Sequence, residues 1–252
     1  MKIYADLHTH TIASGHAYAT IEEMARCASE KKLNYIGITD HGPSLIAAPN
    51  ELYFKCALLC PPKIYGVEII FGCEANIIDY DGSIDLSEDT ARRLDILLAG
   101  FHNYTPYIPG SEKENTAALL KTVKRYKNID IIAHPGNPAF KINYEDTIKC
   151  LNDYNVLIEI NNRSFLPDQL SARKGSSSNC REIMRLCEKY NVRVVVSSDA
   201  HNQYQVGCFQ YALDVLAEEK FPEKLILNSN LEKLSEYLGS IHSDKVPKEV
   251  LF

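Results

Sequence analysis

The sequence lacks the features of several large classes of protein. Its eight cysteines include no Cys-x-x-Cys pair and no regular spacing, which argues against a disulfide framework. No apolar run approaches the roughly 20 residues of a membrane span, and the N-terminus has no charged segment followed by an apolar one. We therefore expect a cytoplasmic protein with free thiols. A zinc knuckle at the closest pair, Cys56 and Cys60, is the minor alternative.

Basic charge is also in short supply. The chain has 27 lysines and arginines against 33 aspartates and glutamates, for a formal net charge of −6. Broad, sequence-independent binding of nucleic acid needs a basic surface that displaces counterions, so the composition argues against it. Several divalent cations bound in one cleft would reverse the local field without changing this count.

The pattern that is present is a regular alternation of short apolar runs with amphipathic helical segments. The predicted strands are Ile3–Ala5, Tyr35–Thr39, Glu68–Cys73, Ile96–Ala99, Ile129–Ala133, Leu157–Ile160 and Val192–Val196. Seven strand-then-helix units favour parallel pairing and a closed or nearly closed α/β barrel. With no repeat, linker or low-complexity tract to divide them, the 252 residues are expected to form one domain, 1–252.

Helix signals lie between these strands. Thr20 with Glu23 has the spacing of a capping box, and Asn179 with Glu182 predicts a second helix start. Weaker signals predict helices over Glu112–Tyr126, Glu145–Asp153 and Leu231–Leu238. The longest irregular connection, Gly42–Lys63, is expected to form part of the rim of a cleft.

Seven of the eight histidines and two carboxylates follow the predicted strands or lie in the adjoining loops. In chain order these residues are His8, His10, His16, His41, Glu74, His102, His134, Asp199 and His201. The carboxyl ends of parallel barrel strands form one face, where active sites are built, so we expect the nine side chains to meet. Only His242, in the polar segment SIHSDK, falls outside the pattern and is expected on the surface.

Convergence of this kind favours a metal site. A lone histidine at a strand end is more often a packing residue, but many imidazoles crowded together without metal would leave ring nitrogens unsatisfied. Divalent ions take the lone pairs of neutral imidazole and of ionised carboxylate. The spacing His8-x-His10 places two imidazoles on one strand face. Nine ligands suit three ions, and if Glu74 bridges, the contacts divide into four, three and three, which leaves the open positions of a catalytic site.

Seven motifs run in order from Asp6 to His201: DLHTHTIASGHA, ITDHG, GCEANI, FHNY, IIAHPGNP, EINN and SSDAH. As an ordered set they resemble the stand-alone PHP (polymerase and histidinol phosphatase) domains, most closely the small phosphatases of the YcdX type. The resemblance implies a distorted (β/α)7 barrel, similar to a TIM barrel, with the metal site at the carboxyl ends of the strands. It also implies three divalent transition-metal ions, with Zn, Mn, Fe and Co all open as their identity.

The resemblance further implies how the ligands are shared. One ion would take His8, His10, Glu74 and Asp199, a second Glu74, His102 and His134, and a third His16, His41 and His201. Metal ions about 3.5–4 Å apart suit in-line displacement at phosphorus. A metal-bound hydroxide held through His10, Glu74 and Asp199 would then attack a small phosphomonoester.

Groups around the expected metals have less definite roles. Arg163 and Asn161 are candidates for substrate contact, whereas Arg173 and Lys174 are interpreted as surface charges. Asp6 and Asp40 are expected to orient ligand imidazoles, although Asp40 is equally well explained as a turn residue.

Three other functions stay open at this stage. They are a histidinol-phosphate phosphatase, a 3′-5′ exonuclease-like phosphodiesterase and a metal-binding domain without enzymatic activity. The SGHA segment is closer to the YcdX type than to the histidinol type, and the acidic charge counts against the exonuclease. A domain that had lost its activity would have lost ligands, and all nine are present. The oligomeric state is not encoded in any pattern we can interpret.

Overall fold

Seven parallel strands form a nearly closed barrel in the computed structural model, which describes residues 1–167 and 173–243 except for the side chains of 242 and 243. The strands are β1 (Ala5–Asp6), β2 (Tyr35–Ile38), β3 (Lys63–Ile64), β4 (Val67–Asn76), β5 (Ile96–Gly100), β6 (Ile131–Ile132), β7 (Leu157–Asn161) and β8 (Val194–Ser197). Their order is β1-β2-β4-β5-β6-β7-β8, with every neighbouring pair parallel. The predicted seven-stranded barrel is confirmed. The short antiparallel strand β3, which pairs with β4, was not predicted.

One side chain bridges β1 and β8 where the barrel closes. The buried amide of Asn228 donates to the carbonyls of Ala5 (2.9 Å) and Val196 (2.7 Å), and its oxygen accepts from the Val196 amide (3.1 Å). Further along the same seam, a parallel bridge pairs Thr9 with Ala200. Asn228 therefore supplies the hydrogen bonds that a continuous strand ladder would otherwise make.

Eight helices accompany the strands in the described part of the chain. They are α1 (Ile21–Glu30), α2 (Glu51–Lys55), α3 (Glu88–Arg93), α4 (Glu112–Arg125), α5 (Tyr144–Asp153), α6 (Ser176–Tyr190), α7 (Gln210–Glu218) and α8 (Leu231–Ser243). The capping box of Thr20 and Glu23 is confirmed at the start of α1. The predicted start at Asn179 is wrong: α6 begins three residues earlier, and the Asn179 side chain instead donates to the carbonyl of Gly136 (2.9 Å).

The predicted rim segment Gly42–Lys63 contains α2 and packs beside the histidine-rich loop after β1. Gly15 in that loop has a left-handed backbone, with φ of 77°. A side chain at Gly15 would collide with the backbone carbonyl of Ala47, so only glycine lets the two segments approach this closely.

The inward face of the barrel changes character along its strands. An apolar cluster of alternate strand residues, including Leu157 and Val195, fills the interior and packs against Leu234 and Tyr237 of α8. Two residues beyond Leu157 on the same strand face, the buried side chain is Glu159. The apolar half is thus sealed by α8, and the polar half at the carboxyl ends is left to form a site.

The side chain of His242, which was predicted to lie on the surface, is outside the described residues. All eight cysteines are free, as the absence of a framework predicts.

Candidate metal centre

Glu74, at the carboxyl-terminal part of β4, is the hub of a cluster of imidazoles. Its Oε1 lies 2.7 Å from His134 Nε2 and 3.0 Å from His102 Nε2. Its Oε2 lies 2.9 Å from His41 Nδ1 and 3.2 Å from His8 Nε2. One fully buried carboxylate therefore faces four imidazoles that come from four different strands.

His10 and Asp199 complete the buried part of the cluster. His10 Nε2 lies 3.0 Å from His8 Nε2, and it is 3.4 Å from both Glu74 Oε2 and Asp199 Oδ1. The pair His8-x-His10 is thus brought together as its spacing predicts, although both residues lie just past the end of β1.

His16 and His201 form the open end of the cluster. Their Nε2 atoms are 3.0 Å apart, and the His16 side chain is exposed. The ring of His41 lies 5.1 Å from that of His16 and 4.3 Å from that of His10, centroid to centroid. All nine residues singled out in the sequence therefore meet in one continuous cluster.

The donor atoms fit divalent metal ions. Three pairs of imidazole nitrogens approach within 3.0–3.1 Å: His8 with His10, His102 with His134, and His16 with His201. His41 Nδ1 and Glu74 Oε2 lie 2.9 Å apart but are not aligned for a hydrogen bond with each other. Neither atom has another hydrogen-bond partner among the described residues. Lone pairs that converge in this way suit a cation, which all of them can bind at once.

Three groups of residues bring their donor atoms within 4.8 Å of one another in the described part of the chain. They are His8, His10 and Glu74; His41, Glu74 and His102; and His10, His41 and His201. The groups share members, so they form one extended site and not three separate ones.

A second buried carboxylate, Glu159 of β7, was missed in the sequence. Its Oε1 lies 2.6 Å from His8 Nδ1, and its Oε2 accepts from the His134 amide (2.6 Å) and from Asn161 Nδ2 (3.0 Å). The carboxylate thereby fixes the His8 ring with Nε2 directed at the cluster. The signal that could have found it is the alternation Leu157, Glu159, Asn161 in LIEINN, which continues the inward face of the strand.

Asp40 organises the loop that carries the histidines. It accepts hydrogen bonds from the Thr11 amide (2.7 Å), Ser14 Oγ (2.6 Å) and the Tyr53 hydroxyl (2.8 Å). Ser14 Oγ in turn accepts from the His41 amide (3.1 Å) and lies 3.2 Å from His10 Nδ1. The expected orienting role of Asp40 is thus exerted through Ser14.

Asp6 positions backbone on the other side of the cluster. It accepts from the amides of Ser198 (3.0 Å) and Gly207 (2.8 Å), which flank Asp199 and His201 in the loop after β8. Burial raises the pKa of Asp6 to about 6. The residue therefore holds the loop that presents two of the candidate ligands.

Two arginines approach Asp199 from outside. Arg163 Nη1 lies 2.7 Å from His201 Nδ1 and 3.6 Å from Asp199 Oδ1. Arg173 Nη2 lies 3.0 Å from Asp199 Oδ2, so the interpretation of Arg173 as a surface charge is wrong. Its neighbour Lys174 is exposed, as predicted. Asn161 Nδ2 also donates to Asp199 Oδ2, at 3.1 Å.

The electrostatics of the cluster favour ionised carboxylates, and neutral imidazoles at every candidate histidine except His8. Burial would lower the pKa of His8, but the charges of Glu159 and Glu74 outweigh this and raise it. Burial would raise the pKa of Glu74, but the charges of His8 and the other imidazoles around it outweigh this and hold that pKa well below its usual value. Burial lowers the pKa of His10, as do the charges of His41 and His201. Burial also lowers the pKa of His201, to about 4. These are the protonation states in which both residue types bind metal.

Two of the candidate ligands have left-handed backbone. His134 has φ of 32° and Asp199 has φ of 55°, a region that side chains with a β-carbon adopt at a cost. Strain of this kind gathers where a side chain must be aimed, as in metal and active sites.

Comparison with known proteins agrees with this site. The model of the PHP domain family matches residues 6–249, and the chain belongs to that family. A probable phosphatase of Clostridium novyi is 45% identical over 241 residues, covering 95% of this chain and 96% of that protein. A probable phosphatase of Acetivibrio thermocellus is 43% identical over 238 residues, covering 94% and 96%. The chain is accordingly an enzyme of the phosphatase class, a hydrolase of phosphoric esters.

Among solved structures, the histidinol phosphate phosphatase of Lactococcus lactis, complexed with zinc, L-histidinol and phosphate, is similar in fold. The TM-score is 0.57 at 15% identity, covering 87% of this chain and 94% of that one. The family, the probable phosphatases that are similar to this chain, and the set of imidazole and carboxylate donors together support a metal-dependent phosphatase. No described helix combines the length and apolar character needed to cross a membrane.

Proposed function

We propose that the protein hydrolyses small phosphomonoesters at a trinuclear metal site built by the nine clustered residues. The observation that carries this proposal is the convergence of four imidazoles on the buried carboxylate of Glu74. Zinc, manganese, iron and cobalt all suit a set of imidazole and carboxylate donors. Free thiols at all eight cysteines are typical of a reducing compartment, so we propose the cytoplasm as the location.

The proposed division of ligands is supported by the contacts. His8, His10, Glu74 and Asp199 would hold one ion; Glu74, His102 and His134 a second; and His16, His41 and His201 a third. Nε2 of His102 and of His134 lie 3.1 Å from each other and within 3.0 Å of the same Glu74 oxygen, which supports the second group. His41 lies between two groups, since its Nδ1 also faces Glu74.

When bound, divalent ions would supply a hydroxide nucleophile near neutral pH and neutralise charge on the phosphoryl group. In the overall reaction the oxygen of water bonds to phosphorus, the ester P–O bond breaks, and the leaving alkoxide takes a proton. Glu74, Asp199 and His10 lie together in the buried part of the cluster, where they would hold the metal that supplies the nucleophile, and the carboxylates of Glu74 and Asp199 stay ionised. These three are the proposed catalytic residues.

Arg163 and Asn161 are the proposed substrate contacts. The Arg163 guanidinium reaches the cluster beside His201 while about a third of its side chain stays exposed, so it can meet phosphate oxygens that enter from solvent. Asn161 bridges Glu159 and Asp199 and would set the orientation of both carboxylates.

Turnover and metal content test this function together. Purified protein should contain close to three transition-metal ions per chain and should hydrolyse p-nitrophenyl phosphate. His10→Ala should abolish turnover, because it removes a donor shared by two of the close groups. Glu232→Gln, on the distant helix α8, should change neither the metal content nor the turnover of p-nitrophenyl phosphate.

The alternatives give different results in the same assay. A chain that binds metal but releases no phosphate from any monoester would be a metal-binding domain. Degradation of single-stranded oligonucleotides with monoesters left intact would indicate the exonuclease-like phosphodiesterase. A strong preference for histidinol phosphate over other monoesters would indicate the histidinol-phosphate phosphatase. One ion per chain, or none, would contradict the trinuclear site.

A further inference from the structure

The loops around the metal centre carry the most exposed large apolar side chains of the described residues. They are Tyr18 (80% exposed), Tyr104 (78%), Tyr204 (76%), Ile108 (75%) and Ile46 (71%), and the next in rank, Leu52, is 64% exposed. Each of the first five follows the carboxyl end of a barrel strand. Exposed apolar side chains gathered around a polar site mark a surface that binds a ligand.

The strand order places the three tyrosines on opposite sides of the site. Tyr18 lies in the loop after β1, Tyr204 in the loop after β8, and Tyr104 in the loop after β5. β1 and β8 are neighbours at the seam, whereas β5 is three strands away from each of them around the barrel. Tyr18 and Tyr204 therefore stand on one side of the mouth, and Tyr104 stands across from them.

Backbone contacts tie these loops to the candidate ligands. The amide of Tyr18 donates to the carbonyl of His201 (2.8 Å), and Tyr204 follows His201 by three residues. Tyr104 has a left-handed backbone with φ of 65°, next to a turn in which Thr105 Oγ1 donates to the carbonyl of His102 (2.9 Å). An exposed aromatic residue in a strained turn beside a ligand is a feature of binding sites.

The burial of the histidines gives the direction in which a substrate would extend. His8, His10 and His134 are buried, while His16 is exposed and His201 is half-buried. A phosphoryl group at the cluster would thus have its leaving group directed past His16 and His201. Tyr18 and Tyr204 lie in the same two loops as these histidines.

We propose that these tyrosines bind a planar heteroaromatic ring in the leaving group, and that the substrates are phosphomonoesters of the nucleoside 5′-monophosphate kind. The inference rests on the proposed phosphatase function and specifies its substrate class. Tyrosine faces stack on planar rings, and every nucleobase has such a face. Three exposed tyrosines on separate loops around the site suit a small ligand, whereas a macromolecular partner would need a broad continuous patch.

A matched pair of substrates tests this directly. AMP and ribose 5-phosphate have the same scissile bond and the same leaving oxygen, and they differ in the adenine ring. Stacking on an aromatic side chain improves binding about 5- to 150-fold per base, so kcat/KM should be higher for AMP by a factor in that range. Tyr18→Ala and Tyr204→Ala should lower kcat/KM for AMP and leave that for ribose 5-phosphate unchanged.

Conservative variants and a distant tyrosine serve as controls. Tyr204→Phe keeps the ring and should keep the preference for AMP. Tyr154→Ala changes an exposed tyrosine at the amino-terminal end of β7, on the other face of the barrel, and should affect neither substrate. Melting temperatures of all the variants should match that of the unaltered protein, because the rings are exposed.

The possible failures are distinguishable. Equal kcat/KM for the two substrates, or equal losses for both in the alanine variants, would overturn the inference and leave the phosphatase function intact. No phosphate release from either substrate would overturn the proposed function as well.

Discussion

The two ends of the histidine cluster are held in different ways. At the inner end, His8 is fully buried and has Glu159 on one ring nitrogen and Glu74 facing the other. At the outer end, His16 is exposed, and its Nε2 lies 3.0 Å from His201 Nε2. Its Nδ1 contacts only the carbonyl of Ser14 among the described residues. The inner end is therefore fixed by buried charge, and the outer end by the fold of a loop. We expect metal affinity and sensitivity to mutation to fall from the inner end to the outer end.

The largest effect is expected at Glu74, the carboxylate that two of the three proposed ions share. Glu74→Gln removes the negative charge that four imidazoles face and should cost two of the three ions. Loss of metal chemistry of this kind removes several kcal/mol of transition-state stabilisation, so turnover should fall about 10³-fold. Metal analysis and phosphate release measure the two effects. The exposed Glu88→Gln on α3 is the control, and retention of three ions in Glu74→Gln would contradict the bridging role.

A smaller effect is expected for the carboxylate behind His8. Glu159→Gln keeps the shape of the side chain but removes the charge 2.6 Å from His8 Nδ1. Partners of this kind contribute about 10- to 100-fold to metal affinity. Titration of the metal-loaded protein against a chelator should show this loss of metal affinity at the inner end alone. An unchanged affinity would mean that Glu159 only packs the barrel interior. The exposed Glu182→Gln on α6 should behave as the unaltered protein.

The outer end should tolerate substitution best. His16→Ala should remove one ion, leave the other two, and change the free energy of unfolding by no more than about 0.5 kcal/mol, as for most exposed positions. Metal analysis and a melting curve of the metal-free protein check both parts. If His16→Ala removed all three ions, the outer end would have to be regarded as part of one cooperative site.

Charge pairs on the outer helical layer complete the comparison and should matter least. The hydroxyl of Tyr190, with Lys189 and Lys149, lowers the pKa of the half-buried Glu145 to about 2. Because the folded pKa lies below the ordinary value of 4.5, the stabilisation is present above pH 4.5 and is lost as the pH falls toward 2. Glu145→Gln should thus lower the melting temperature slightly at pH 7 and not at pH 2. An equal difference at both pH values would show that the effect is not electrostatic.

The meeting of the nine residues could be predicted because it follows from topology. Any side chain just past a parallel barrel strand reaches the same face, whatever the loop between strands does. That argument found Glu74 and His134, which lie far apart in sequence but whose side chains are 2.7 Å apart. It could not find Glu159, because this residue lies inside the predicted strand Leu157–Ile160, where alternation favours a packing role over a charged one. Glu74, by contrast, comes directly after the predicted strand Glu68–Cys73.

Other features depend on contacts that no local pattern encodes. Arg173 reaches Asp199 from a long connection, and its sequence neighbours are those of an ordinary surface segment. Asn179 has the spacing of a helix cap but instead donates to the carbonyl of Gly136, in the loop after β6. In both cases a distant partner decides the role of the side chain.

The closure of the barrel by Asn228 has a consequence for synthesis of the protein. His8 and His10 are synthesised before Asn228, which lies 220 residues after His8 and whose side chain joins β1 to β8. Until Asn228 has left the ribosomal tunnel, β1 lacks those bonds to β8. We therefore expect this side of the metal centre to reach its final geometry, and to bind metal tightly, only after Asn228 has emerged.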